Sequence, residues 1–587
     1  MLVVCYFYGI QMIQQRNYAK KRWCERSAPA DVIQSLMRDH DLSNILARIL
    51  AGRGVHEPDA VQNYLRPRLS NLREPSTLAG VPDAVCRLEA ALRNHEKIGI
   101  FGDYDVDGVT STALLWDFLE ESGGRVEATI PDRLLEGYGL SRQGVDRLHG
   151  AGVQVLVTVD CGITAHQEVA YAAEKGIDVI VIDHHTVLTQ LPRAVAVINP
   201  HRTDCSSGAT HLCAVGVTFY LCAALRRSLR QSEYYGDVQK EPILQDSLDL
   251  VALGTVADVV PLVRDNRIFV SSGLKVMAKQ KRPGLRALMD VARIDLSRLG
   301  AGHLGFQLGP RINAAGRLGD AMKAVELLRT ASPQHAKQLA KNLDEENLSR
   351  RELERRILEE ALQTFENYPQ STDRRIAVVG NEEWHPGVVG IVASRMVDHL
   401  GMPAIVVGQG GKGSGRSIPA FHLYEALQMA SGTLAGFGGH AHAAGVQLPA
   451  EGLEPFRLAM EKNAQERLTQ DDLGQRFFHD GELALEHVNL TLCDELKMAG
   501  PYGRNNPEPT FRFNRVRPHG VRTLTGGHFK AFIGSDPKIE VIVFGQGERI
   551  DDFSGEIDLL GIPEKNEWRG TERVQIRVKD FGASRAE

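Results

Sequence analysis

The feature that most constrains this chain is an apolar run that stops abruptly in three ligand-type side chains, Asp178-Val-Ile-Val-Ile-Asp-His-His185. A run of β-branched residues with a polar end predicts a buried strand that delivers chemistry at its carboxyl terminus. Two other stretches share the design. Lys97-Ile-Gly-Ile-Phe-Gly-Asp-Tyr-Asp-Val-Asp-Gly108 closes on Asp103, Asp105 and Asp107, and Val153-Gln-Val-Leu-Val-Thr-Val-Asp160 closes on Asp160. In open parallel α/β sheets, ligands bind just beyond the carboxyl ends of the strands. Three strands setting carboxylates and imidazoles along one such edge predict a metal site.

At 587 residues the chain exceeds what one core can organise, so several domains are expected. The net charge of −6 argues against a generally basic nucleic-acid coat and leaves room for a local basic groove. The 8 cysteines include no CxxC pair, which reads as reduced thiols. Cys161, beside the predicted site, reads as a packing residue. No apolar run approaches a membrane span. The apolar start Met1 to Ile10 precedes the basic segment Arg16 to Arg26, the reverse of a secretory signal, so 1–28 reads as a disordered extension.

The chain then divides by pattern. Residues 29–331 predict a catalytic α/β domain with a helical amino-terminal part. Strand, turn and helix alternate from Lys97 as in a doubly wound sheet, with Thr110 or Ser111 capping the helix after the Asp cluster. Gly309-Pro-Arg-Ile-Asn-Ala-Ala-Gly-Arg-Leu318 is glycine-rich and basic, a composition suited to approaching phosphate. Residues 332–374 predict a long charged connector helix with a solvated face. A smaller α/β domain follows over 375–470, with glycine-rich turns at Gly408 to Ser417 and Gly436 to His442. The remainder, 471–587, has short alternating runs of the kind that form a small β-barrel.

Asp105 and Asp107 are one residue apart on the way out of a strand, so both can address neighbouring cations. Asp160 is placed to bridge them, His184 to add an imidazole and Asp258 to close the set. Mixed carboxylate and imidazole ligation suits manganese or magnesium. Two such ions about 3.5–4 Å apart clamp an in-line phosphoryl displacement without a serine or cysteine nucleophile. A lone Asp after a strand is usually a cap, and a DxD or His-His pair alone signals little. Three strand ends together make a stronger case, in which Asp103 and Asp178 still read as structural.

Asp183-His184-His185, with Asp105-Val-Asp107 and Asp160, resembles the DHH phosphoesterase superfamily, and within it the branch of single-strand-specific 5′→3′ DNA exonucleases. The resemblance runs from about Leu42 to the carboxyl end. It includes Gly254-Thr-Val-Ala-Asp-Val-Val-Pro-Leu262, Gly309 to Leu318, Trp384-His-Pro-Gly-Val-Val-Gly390 and Gly413-Ser-Gly-Arg-Ser417. It implies two Mn2+ or Mg2+ ions on Asp105, Asp107, Asp160, His184 and Asp258. His185 would contact the scissile phosphate, and Asp183 would orient its neighbours. Arg133, Arg317, Ser414 and Arg416 would gather a 5′-terminal phosphate. Phe101 departs from the pattern, since many members carry a metal-binding His there; the resemblance leaves Asp103 to help.

The resemblance further implies a DHH-associated domain over 375–470 and an OB-fold over 471–587, with single-stranded DNA threading a narrow cleft. It suggests single-strand-binding protein and a RecQ-type helicase as partners; with reduced thiols and no membrane-length apolar run, the chain is expected to be a monomeric cytoplasmic enzyme with no membrane partner. Two rivals stay open. One is a small-substrate DHH phosphoesterase acting on oligoribonucleotides or nucleotide phosphates. The other is a catalytically silent scaffold that binds DNA.

Overall fold

The computed structural model describes residues 21–133, 136–137, 139–187, 190–236, 241–368, 373–536, 538–568 and 570–584. Its described residues form two compact units: those of 55–348 with 499–508, and those of 21–54 with 349–498 and 509–584. Among the described residues no helix is long and apolar enough to cross a membrane.

The first unit is built on five parallel strands: β1 (Lys97–Gly102), β2 (Arg125–Thr129), β3 (Val155–Val159), β4 (Asp178–Ile182) and β5 (Ala196–Ile198), in the order β2-β1-β3-β4-β5. Alternation splits the strand residues between two cores. Ile98, Ile100, Val155, Val157, Ile180 and Ile182 pack into one, against the helices α1 (Val106–Glu121) and α2 (Ala214–Gln231); Phe101, Leu156, Val179 and Val181 pack into the other. Both faces are thus covered, as a parallel sheet requires. Strand order reverses between β1 and β3, and that is where an open α/β sheet leaves a crevice.

Past the sheet come α3 (Leu248–Ala257) and α4 (Gly309–Leu318). The Gly309 to Leu318 stretch is helical rather than a loop. Its glycines serve close packing: a Cβ on Gly316 would lie 2.4 Å from the Tyr104 carbonyl oxygen. The segment 499–508 also belongs to this unit, and Arg267 fastens it by donating to the carbonyls of Gly500 and Pro501.

The second unit holds most of the 35-residue helix α5 (Pro333–Asn367), which starts in the first. After it come a mixed five-stranded sheet and a six-stranded sheet. The former comprises β6 (Ala377–Gly380), β7 (Ala404–Val407), β8 (Lys412–Arg416), β9 (Gly436–Gly439) and β10 (Ala443–Gln447), with α6 (Pro386–Leu400) packed on β7 and β8. The latter comprises β11 (Phe511–Val516), β12 (His519–Leu524), β13 (His528–Ile533), β14 (Ile539–Val543), β15 (Ile557–Trp568) and β16 (Thr571–Ala583).

The structure corrects three expectations. The stretches Gly408 to Ser417 and Gly436 to His442 are turn only in part: Gln409–Gly411 turns at positive φ, but Lys412–Arg416 and Gly436–Gly439 are strand, because glycine lets β8 sit close under its cover, where a Cβ on Gly415 would lie 2.8 Å from Leu423. Residues 21–28 are not an extension, since Arg22–Glu25 pairs in parallel with Arg476–His479; the preceding twenty residues lie outside the described ones. The helices of residues 30–52 group with the second unit and not with the catalytic sheet.

Candidate metal centre

Register explains the site. Each strand ladder continues one step past the strand: Asp103 N–H donates to Val159 O, Asp160 N–H to Ile182 O, and Asp183 N–H to Ile198 O. Three aspartates therefore stand in one row at the carboxyl edge. Asp160 adopts a left-handed φ of 63° as the chain leaves the ladder.

Asp105, not Thr110 or Ser111, caps α1. Its carboxylate accepts the N–H groups of Asp107 (2.9 Å) and Gly108 (3.1 Å), while Thr110 donates to the Val106 carbonyl inside the helix. Capping starts the helix early enough to put Asp107 in its first turn, fully buried. There Asp107 accepts N–H from Ala214 (2.6 Å) and Val215 (2.8 Å), the first residues of α2. The helix end holds the anion by its dipole and its free donors. Gly108 contributes close approach, not a turn: a Cβ there would lie 2.3 Å from the Asp103 carbonyl.

Asp258 caps the carboxyl end of α3. His184 Nε2 sits 3.2 Å from Asp160, 3.6 Å from Asp258 and 3.8 Å from Asp107. Three groups offer ligand atoms all within 4.8 Å of one another: Asp160 with His184 and His185; Asp107 with His184 and Asp258; Asp103 with Asp105 and Asp160. The structure thus brings together all five residues expected as ligands and adds Asp103 and His185 to their reach. Asp178, at the other end of β4, pairs with Arg87.

The electrostatics call for a cation. Burial first, and then Asp105, push Asp103 and Asp107 up; Asp160 and Asp258 are raised by burial and by neighbouring carboxylates. Burial, followed by His185, lowers His184 to about 4, so its imidazole is neutral and fit to ligate. Asp103 Oδ1, His184 Nε2 and Asp258 Oδ2 are buried without a hydrogen-bond partner among the described residues. Converging oxygens and an imidazole that fail to satisfy one another fit a hard divalent cation.

His185 has a different environment. Its Nδ1 lies 2.7 Å from Asp183, whose carboxylate also accepts the N–H groups of His184, His185 and Ile163. Burial opposes charge on both, yet their mutual contact raises His185 and lowers Asp183. Cys161 is fully buried and its thiol pushed far up by burial, as befits packing.

Tyr104, which the sequence reading passed over, contacts one of the expected phosphate ligands. Arg133 stacks over its ring at 4.8 Å, and both Arg133 and Arg317 act on its hydroxyl, which burial drives up to about 12. Asn313 was also missed: its side-chain oxygen accepts the Val106 N–H at 3.1 Å and ties α4 to α1. In the other unit, Arg416 donates to Ser414 Oγ at 2.9 Å. A Cβ on Gly390 would lie 3.1 Å from that same oxygen, so the glycine lets α6 approach β8.

Comparison with known proteins agrees with this architecture. The DHH family, N-terminal domain, matches residues 97–255, the DHHA1 domain 373–466 and the RecJ OB domain 479–580. The "Single-stranded-DNA-specific exonuclease RecJ" of Dickeya dadantii is 40% identical over 556 residues, covering 92% of this chain and 96% of that protein. The chain belongs to the RecJ family. RecJ of Escherichia coli is 38% identical over 559 residues, again covering 92% of this chain and 96% of the relative. Among solved structures, RecJ of Thermus thermophilus in complex with Mn2+ superposes with a TM-score of 0.83 at 31% identity, covering 97% of this chain and 81% of that one. The RecJ assignment fits the fold expected from sequence: a parallel-sheet DHH domain, a DHH-associated domain and a terminal OB domain.

Proposed function

We propose that this chain is a single-stranded-DNA-specific 5′→3′ exonuclease that releases 5′ mononucleotides by phosphodiester hydrolysis in DNA recombination and repair. The observation that carries the reading is the row of carboxylates and imidazoles with unsatisfied, inward-facing ligand atoms, set in a chain of the RecJ family. Asp105, Asp107, Asp160, His184 and Asp258 would hold two Mn2+ or Mg2+ ions, with Asp103 in reach as an auxiliary. When bound, such ions supply Lewis acidity and an activated water at neutral pH.

The protein's own groups do the rest. His185, its Nδ1 on Asp183, presents its other face to a phosphate oxygen and supports the charge that builds there. Arg133, Arg317, Ser414 and Arg416 are assigned to the terminal phosphate, for which arginine forks are suited. In the terminal barrel a cavity of about 690 Å3 is lined by Arg512, Arg515, Arg517 and Lys538 together with Glu482; Arg512 and Arg517 also pair with Asp558 and Glu556, so the net positive lining offers a strand's backbone a modest attraction. Phe511, Phe513 and Phe529 are buried in the barrel and are not stacking surfaces. Single-strand-binding protein and a RecQ-type helicase are proposed as partners, since one covers and the other generates unpaired strands. The proposed setting is the cytoplasm, with the chain acting as a monomer.

The test is manganese-dependent digestion of end-labelled DNA, comparing matched single strands and blunt duplex, labelled at either end. Early release of 5′ mononucleotides from single strands alone is expected. Binding without cleavage in either metal would overturn the reading in favour of a silent scaffold. Cleavage restricted to very short oligomers would move the chain to the small-substrate branch.

A further inference from the structure

Exposed apolar side chains scattered singly over a surface need no explanation. Phe306 is different. It is 85% exposed, the most exposed large hydrophobic side chain among the described residues. It also sits at the centre of a π-helical turn, Leu304–Leu308, inserted between the short helix Ala301–His303 and α4. Such turns are rare and occur frequently at functional sites. Here Leu304 and Leu308 are fully buried anchors, and the residue midway between them is delivered to solvent.

The turn is seated on the elements that carry the metal ligands. A Cβ on Gly305 would lie 3.3 Å from Val256, and one on Gly309 would lie 3.2 Å from Ala257 and 3.8 Å from Val106. Val256 and Ala257 lead directly into Asp258, and Val106 follows Asp105. The rim beside Asp258 shares this character: Val259 is 57% exposed at a left-handed φ of 58°, and Arg504 donates to its carbonyl at 3.2 Å. The ring is thus carried by a turn that packs on the residues leading into Asp258, while Val259 follows Asp258 directly and holds Arg504 at its carbonyl; an exposed apolar ring and a cation on elements of one site suit a nucleotide better than water.

We propose that Phe306 is a nucleobase-stacking platform at the Asp258 side of the metal centre, and that it helps select unpaired strands. This rests on the single-strand exonuclease reading above. Every base offers a π-face, so a stacking seat is indifferent to sequence. An internal base of a duplex has both faces covered by its neighbours and cannot occupy the seat without unstacking. Arg317, at the end of the helix that the turn introduces, places a phosphate-binding group on the same continuous segment.

The test uses the full-length protein with Phe306→Ala and Phe306→Trp, neither of which disturbs a buried contact. Binding of fluorescent single strands is read by anisotropy with Ca2+ in place of Mn2+, and hydrolysis is read with Mn2+. Phe306→Ala is expected to raise Kd and KM about 10-fold or more, leaving kcat and Mn2+ affinity unchanged, while Phe306→Trp retains both. An oligonucleotide with one abasic position at the seat should lose the same factor with the wild-type protein and nothing further with Phe306→Ala. Wild-type binding by Phe306→Ala, or an equal abasic penalty in both proteins, overturns the proposal. Failure of the wild-type protein to cut single strands would overturn the exonuclease reading instead, and the anisotropy arm would still decide the platform.

Discussion

His185 Nδ1 and the Asp183 carboxylate meet at 2.7 Å, and Asp183 also accepts two backbone N–H groups of the turn that bears both histidines and a third, from Ile163, in the loop after Asp160. One carboxylate therefore sets the ring orientation of His185 and the path of the chain through His184. Asp183→Asn keeps the shape but replaces one acceptor oxygen with an NH2 group among backbone donors. We expect kcat to fall about 10- to 100-fold, as for other groups that orient a ligand or catalyst. The same change should cost about 1–3 kcal/mol of stability, from a buried donor left unpaired. Steady-state kinetics with urea titrations of both proteins check the pair of outcomes; unchanged kcat would remove the orienting role.

Asp160 occupies the middle of the row and belongs to two of the three ligand groups. Asp160→Ala should abolish hydrolysis while the fold persists. In EDTA its thermal midpoint should match or exceed that of the wild type, because one member of a crowded set of buried carboxylates is gone. Activity assays and calorimetry without metal test this, and near-normal turnover would sink the metal assignment.

The strand ends, and the gathering of their carboxylates and imidazoles at one edge, were legible because β-branched runs with sudden polar termini have few other uses. Asp103 read as structural because a single Asp after a strand is usually a cap; the register, through its N–H to Val159 O, sets it in line with Asp160 and Asp183. The glycine-rich stretch around Ser414 read as a turn because glycine's commonest role is a left-handed φ, whereas here Gly413 and Gly415 make room for side chains over a strand. The strand Arg22–Glu25 was hidden by its charge. Phe306 carried no periodic signal, since a π-helical turn breaks the spacing on which helix reading depends.

Gly316 tests how closely α4 must lie on the Asp loop. A methyl group there would press on the Tyr104 backbone, which cannot swing aside like a side chain. Gly316→Ala should cost about 1–3 kcal/mol by overpacking and should reduce activity, since the Asn313 contact to Val106 moves with the helix. Gly302→Ala, where nothing lies within 4 Å, is the control and should be neutral or slightly stabilising. Equal effects of the two substitutions would contradict the packing account.

Asp580 ties the amino-terminal strand to the barrel. It accepts from Trp23 Nε1 and Lys21 Nζ, both at 2.9 Å, and from Arg549 at 2.8 Å. Burial pushes its carboxyl up, but Arg549, Lys21 and Trp23 outweigh that and hold it below the usual range. As pH falls the unfolded chain therefore takes up the proton first. The contribution of Asp580 is complete above the ordinary aspartate pKa of about 4 and is lost as pH drops through the lower folded value. Asp580→Asn should destabilise this unit by about 1–3 kcal/mol at pH 7, the worth of hydrogen bonds to a charged group. The gap between the two proteins in urea titrations should stay level from pH 8 to about 5 and close below about 4. A gap as wide at about pH 3 as at pH 7 would show that the carboxylate's charge is not what holds the strand.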